Sequence, residues 1–155
     1  MINPVPLHQY LDVDLITVQS NVSSRKKLLE TMAQLLTSPF QQAKEKDIYH
    51  ALLEREKLGN TGIGNGVALP HSRCPHIDNA VIAIITLEEA IDYDSLDKKY
   101  VDVVFGLLVP EEATQEHLGL LAQIAKMMSN DGNKAQLSSA KTPEEVIQLI
   151  SSWSD

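Results

Sequence analysis

Ala80-Val81-Ile82-Ala83-Ile84-Ile85-Thr86-Leu87 and Val101-Asp102-Val103-Val104-Phe105-Gly106-Leu107-Leu108-Val109 are the stretches that decide how this chain folds. Both are nearly unbroken apolar runs rich in Val and Ile, the pattern of strands covered on both faces. A further short extended piece is expected near Ile91 to Tyr93. The span from 80 to 109 leaves no room for crossover helices, so a mixed sheet is expected here instead of a purely parallel one. With helices on either side of this segment, the pattern predicts an α/β three-layer sandwich, a small mixed β-sheet with helices on both faces.

Upstream, Leu15 to Val18 reads as a strand, and Ser23 or Ser24 can cap the helix that follows. Leu28, Leu29, Met32, Leu35 and Leu36 recur there at the spacing of one buried stripe, and Pro39 ends the helix. A second helix runs from about Asp47 to Leu58, with Ile48, Ala51 and Leu52 on its inner face and Arg55 one turn further along. Downstream, Pro110 closes the last strand and Thr114 can cap a third helix. Its expected main stripe is Leu118, Leu121, Ala122 and Ala125, with Leu120, Ile124 and Met127 beside it. Two more helices are expected near Lys134 to Ala140 and Pro143 to Trp153, the latter opening on proline.

No repeat, low-complexity tract or linker divides the 155 residues, which reads as a single domain over 1–155. With 43% hydrophobic and 22% charged residues, the composition is that of an ordinary globular domain. The net charge of −8 is unevenly placed, because residues 76–155 carry 14 acidic groups against 5 basic ones. Such a surface repels phosphate backbones, so no nucleic-acid partner is expected, and a basic protein surface would be steered toward it. The single cysteine, Cys74, cannot form an internal disulfide, and the N-terminus lacks the basic and apolar regions of a signal peptide. The apolar runs are far too short to span a bilayer. The reading is a cytoplasmic protein with no membrane insertion.

Four of the seven glycines, Gly59, Gly62, Gly64 and Gly66, fall within eight residues and run directly into Val67-Ala68-Leu69-Pro70-His71. Glycines so dense imply unusual backbone angles or a close approach by something. A nucleotide cradle is disfavoured, since the Gly-Lys-Ser/Thr ending is missing and an extended stretch follows instead of a helix. His71, after the rigid Pro70, stands where a side chain is held near the surface, and histidine is the side chain whose proton moves near neutral pH. The alternative is an ordinary surface or packing histidine. His71, Cys74 and His76 lie close in sequence, but no second cluster completes four ligands, so no metal site is expected. Nothing marks a base for Cys74 as a nucleophile. His117 falls at about the third position of the helix after Thr114, where the helix dipole favours a neutral ring able to donate to an anion. It could equally just lead an apolar stripe.

Leu53-Glu54-Arg55-Glu56-Lys57 followed by Gly59-Asn60-Thr61-Gly62-Ile63-Gly64-Asn65-Gly66-Val67-Ala68-Leu69-Pro70-His71 resembles the active-site signature of phosphotransferase-system (PTS) EIIA proteins of the fructose/mannitol type. Within them the nitrogen-regulatory EIIA branch (EIIA-Ntr) is the nearest in pattern. Leu107-Leu108-Val109-Pro110 and the segment from Thr114 to Leu118 also match, so the resemblance covers nearly the whole chain. It implies a phosphotransferase-type carrier in which His71 accepts a phosphoryl group from the phosphohistidine of an HPr-like donor, called NPr in the nitrogen branch. It further implies that His117 is the second active-site histidine and Arg55 the basic residue beside the pocket. Glycine is common after the acceptor in this family, and Ser72 stands there instead. Loop amides, His117 and Arg55 are the donors this inventory offers a transferring phosphoryl group, with no cofactor and no metal required. The family's nitrogen branch implies targets such as potassium-transport or sensor-kinase components, bound according to phosphorylation state. The rivals are a sugar-specific EIIA that passes phosphate to an EIIB, and a binding module that has lost phosphotransfer. A fused EIIB, HPr or membrane domain would favour transport, and none follows in the sequence up to Asp155.

Overall fold

A computed structural model describes residues 6–40, 44–113 and 115–153. After 3-10 turns at Leu7–Tyr10 and Val13–Leu15 come strand β1 (Ile16–Ser20) and helices α1 (Arg25–Thr37) and α2 (Glu45–Leu58). Strands β2 (Gly62–Gly64), β3 (Val67–Ala68), β4 (His71–Cys74), β5 (Val81–Ile91) and β6 (Val101–Pro110) follow, then helices α3 (Gln115–Met128), α4 (Asp131–Ser139) and α5 (Pro143–Trp153). The six strands form one sheet in the order β1-β5-β6-β3-β2, with β4 also paired to β6.

The sheet is mixed, as the sequence predicts. β5 and β6 are antiparallel, with Ile84 opposite Phe105, while β1 runs parallel to β5 and both β3 and β4 run parallel to β6. The extended piece near Ile91 is no separate strand, because Ile91 ends β5 opposite Val101 after a register shift. Alternation along the strands divides the core in two. Ala83, Ile85, Val104 and Leu108 pack with Leu28, Leu29 and Met32 of α1 and Ile48 and Leu52 of α2. Ile82, Ile84, Val103 and Phe105 pack with Leu120 and Ile124 of α3, Leu137 of α4 and Val146 and Ile150 of α5. This is the expected three-layer sandwich.

Local chemistry sets the helix boundaries. The Ser24 hydroxyl accepts from the Lys27 amide at 3.1 Å and satisfies one of the orphan donors of α1. In α3 the buried stripe is His117, Leu120, Ile124 and Met128, while Leu118 is 39% exposed and Ala122 and Ala125 face solvent. The expected main stripe is therefore displaced. Alanines offer little apolar area to bury, so they do not decide which face of a helix turns inward. The expected cap, Thr114, lies outside the described residues.

The segment that carries His71 is an interrupted strand along β6. Val67 and Ala68 pair with Val103 and Val104, and the ladder resumes with His71 opposite Leu107. Between them, the Leu69 amide turns away to the Thr61 carbonyl at 2.9 Å. Pro70 has no N–H to give, but its carbonyl accepts from the Leu107 amide at 3.0 Å. The chain thus stays docked on the most buried strand while its direction breaks just before the histidine.

Candidate functional site

The break at Leu69-Pro70 has a direct effect on the histidine beyond it. The His71 ring folds back so that Nδ1 lies 2.7 Å from the Leu69 carbonyl oxygen. A carbonyl only accepts, so Nδ1 carries the hydrogen and Nε2 of the neutral ring bears the lone pair. Desolvation by burial lowers the pKa of His71 below its ordinary 6.5, and the Arg55 charge lowers it further, against opposing effects of the Leu69 hydrogen bond and Glu56. The neutral form, the nucleophilic one, is favoured.

His71 lines a hollow of about 530 Å³ between α2 and α3 at the edge of the sheet. Arg55 and Leu58 of α2, Arg73 of β4 and Leu118 and Leu121 of α3 share its walls. Arg55 Nη1 donates to the Gly59 carbonyl at 2.9 Å, across the C-terminus of its own helix. Arg73 Nη1 donates to the Glu111 carbonyl at 2.7 Å. Two guanidinium groups, each tied to a main-chain oxygen, therefore border the hollow. Glu54 and Ser72 also line it, and the remaining walls, from Leu58, Leu107, Val109, Leu118 and Leu121, are apolar, with Leu58 85% exposed. His117 is buried in the first turn of α3, one residue before Leu118, and its ring is not among the side chains lining the hollow. Its Nε2 lies 3.0 Å from Asn79 Oδ1.

A family model, the phosphoenolpyruvate-dependent sugar phosphotransferase system EIIA 2, matches residues 9–153. The chain belongs to this EIIA family. It is 39% identical over 146 residues to a nitrogen regulatory protein of Pseudomonas aeruginosa, covering 94% of this chain and 95% of that one. The crystal structure of the nitrogen regulatory protein IIA-Ntr from Neisseria meningitidis superposes with a TM-score of 0.87 at 35% identity, covering 93% of this chain and 98% of that one. The same fold is found at 15% identity and a TM-score of 0.75 in Escherichia coli enzyme IIAMTL, solved in complex with phosphorylated enzyme IIBMTL, over 92% of this chain and 97% of that one. Among the described residues, no helix of this EIIA chain is long and apolar enough to cross a membrane.

Within this EIIA fold, the glycine stretch does something other than the sequence suggests. Three of its amides have acceptors inside the fold: Thr61 N–H to Glu56 Oε1 at 3.2 Å, Gly62 N–H to Asn60 Oδ1 at 2.7 Å, and Asn65 N–H to Asp97 Oδ2 at 3.3 Å. Gly62 packs against Ser95 and Gly66 against Lys134 and the Tyr100 carbonyl, and none of the glycines lines the hollow. At Gly66 the φ of +77° is what favours glycine, and an added Cβ would also have to push aside the end of Lys134. The amides of Thr61, Gly62 and Asn65 are therefore not the donors that the sequence suggested for an anion. It is a packing loop that delivers the chain to Pro70.

Two residues of the EIIA site region escaped the sequence reading. Glu56, 6% exposed, takes Arg25 Nη2 at 2.7 Å together with the Thr61 amide and hydroxyl, while Tyr93 OH lies 3.1 Å from the same hydroxyl. Arg25 also stacks 4.9 Å over the Tyr93 ring. This cluster fastens the end of α2, and so Arg55, to α1 and the loop. Its signal was available, because Ile48, Leu52 and Glu56 are spaced i, i+4, i+8 on the inner face. Asn79, which faces His117 Nε2, has no such signature in the sequence. Ser72, in place of the family's usual glycine, donates its hydroxyl to the Arg73 carbonyl at 3.0 Å. Cys74 is buried, and burial pushes its thiol pKa up, which marks a packing residue.

Proposed function

We propose that this EIIA protein is a phosphocarrier that accepts a phosphoryl group on His71 Nε2 from the phosphohistidine of an HPr-like donor, NPr in the nitrogen branch. The observation that carries the proposal is the Leu69 carbonyl held against His71 Nδ1, which leaves the Nε2 lone pair for attack. In transfer, that lone pair forms the new P–N bond while the donor's P–N bond breaks and its electron pair returns to the donor nitrogen. The Nδ1 proton stays where it is. The phosphorylated ring gains positive charge, and the Leu69 oxygen stabilises it. Such a reaction asks chiefly for in-line positioning and stabilisation of charge on the equatorial oxygens. Arg55 and Arg73 on the rim can supply the latter, and His117 is proposed as the second histidine of the site. The exposed apolar rim suits a protein donor that excludes water as it docks.

The output is regulatory in this reading. A phosphoryl group placed between two guanidinium groups offsets their positive charge, so phosphorylated and unphosphorylated forms present different surfaces to target proteins, such as potassium-transport or sensor-kinase components. Likeness to nitrogen regulatory proteins at 39% and 35% identity supports this over handing the group to an EIIB in sugar uptake. The test is incubation with the phosphorylated donor, followed by intact-mass measurement before and after acid. Wild type should gain one acid-labile phosphoryl group and His71→Ala none. Labelling of the His71→Ala variant would refute the site, and an unlabelled wild type beside a charged donor would favour a binding module.

A further inference from the structure

Asn79 sits just before β5, and its side-chain oxygen has two neighbours. The Ala80 amide donates to Oδ1 at 2.9 Å, and His117 Nε2 lies 3.0 Å from the same atom. A main-chain N–H can only donate, so the Ala80 contact fixes that atom as the acceptor oxygen and excludes the flipped amide. An acceptor oxygen facing Nε2 in turn requires hydrogen on Nε2. His117 is buried in the first turn of α3, and an N–H in that setting left without an acceptor would be costly.

We propose that Asn79 is the positioning residue of His117, holding its neutral ring as the Nε2–H tautomer. This rests on the reading of His117 as part of a phosphoryl-transfer site, and it changes what that ring can offer. In the neutral ring the only N–H belongs to Asn79, and Nδ1 carries the lone pair. Held this way, His117 donates to a phosphoryl oxygen only after taking a second proton on Nδ1. The first-turn position in α3 suggested a neutral ring donating to an anion, and the Asn79 contact reverses that assignment. The two histidines then differ by construction. His71 has hydrogen on Nδ1 because a main-chain oxygen faces it, and His117 has hydrogen on Nε2 because a side-chain oxygen does.

Long-range proton–nitrogen NMR spectra of the side-chain imidazoles test this directly, with the His117 signals identified by their loss in His117→Gln. In the wild type at a pH where the ring is neutral, His117 should show a pyridine-type Nδ1 and a pyrrole-type Nε2. Asn79→Asp keeps an acceptor and should keep the pattern, whereas Asn79→Ala should shift both resonances toward a mixture of tautomers. A pyrrole-type Nδ1 in the wild type, or an unchanged pattern in Asn79→Ala, would overturn the proposal. With donor-dependent labelling as the second readout, Asn79→Ala should slow the transfer step by roughly fivefold, the loss of one ordinary hydrogen bond, with donor half-saturation unchanged. A loss confined to half-saturation would also count against it. Should the wild type accept no phosphoryl group at all, the phosphocarrier reading fails while the tautomer result stands on the spectra alone.

Discussion

At the scale of single residues, the chemistry turns on what surrounds an imidazole. Burial lowers the His71 pKa, so the folded protein binds that proton less tightly than the unfolded chain does. The contribution to stability is therefore present above the ordinary value of 6.5 and is lost as pH falls through the lower folded value. An NMR titration should place the His71 midpoint below 6.5, and urea unfolding should show His71→Gln losing less stability than wild type between neutral and mildly acid pH. A midpoint above 6.5 would reverse the assignment of burial as the dominant effect. His117→Ala should slow donor-dependent labelling or shorten the lifetime of the phosphorylated form, measured by the decay of the intact-mass shift. His71 and Arg55 could be picked out in the sequence because the string from Leu53 to His71 is long and specific, and both do line one hollow. Asn79 could not, since an asparagine before a strand is indistinguishable from any turn residue until the fold brings α3 beside it.

At the scale of elements, two packing arrangements set how α1 and α2 sit on the sheet. Gly106 lies in the middle of β6 beneath Met32, where an added Cβ would collide with Sδ. Gly106→Ala should destabilise by about 1–3 kcal/mol through overpacking, and Met32→Ala in the same chain should restore part of the loss. Urea unfolding of the four proteins in that cycle checks it, and strict additivity would contradict the contact. Glu56 fastens the end of α2, with 2% of its side chain exposed against 29% for Arg25. Glu56→Ala should cost roughly 3 kcal/mol, the low end for stripping a buried pair, because Arg25 can still reach solvent. The long strands and the helices could be found from periodicity, whereas β2 and β4, of three and four residues, carry too little pattern to be recognised. The stripe of α3 was misplaced because the sequence offers apolar residues on adjoining faces and only tertiary packing chooses between them.

At the scale of the whole molecule, the three-layer plan follows from two strands apolar on both faces and flanked by helices, and their closeness in sequence makes the sheet mixed, which is why both could be read in advance. The charge of −8 lies mostly in the second half of the chain, while the hollow carries two guanidinium groups. A partner with a basic face should be steered by the broad acidic surface, so its association rate should fall as salt rises through the range where the screening length shrinks to about 10 Å and below. Stopped-flow mixing with the donor at several ionic strengths measures this, and a salt-independent rate would exclude steering. What composition could not convey is where the glycines go. They read as sites of unusual backbone angles or close approach, and what approaches is the protein itself, Ser95 at Gly62 and Lys134 with the Tyr100 carbonyl at Gly66.

The acceptor that orients His71 is the carbonyl of Leu69, an atom that every amino acid possesses. A substitution scan across position 69 is blind to it, reporting only the loss of an apolar side chain, and a catalogue of side-chain roles would omit it. Chemical synthesis with a thioamide in place of that peptide group reaches it, since sulfur is the weaker and bulkier acceptor. The chemistry of the ring is thereby sheltered from point mutation at the residue that governs it.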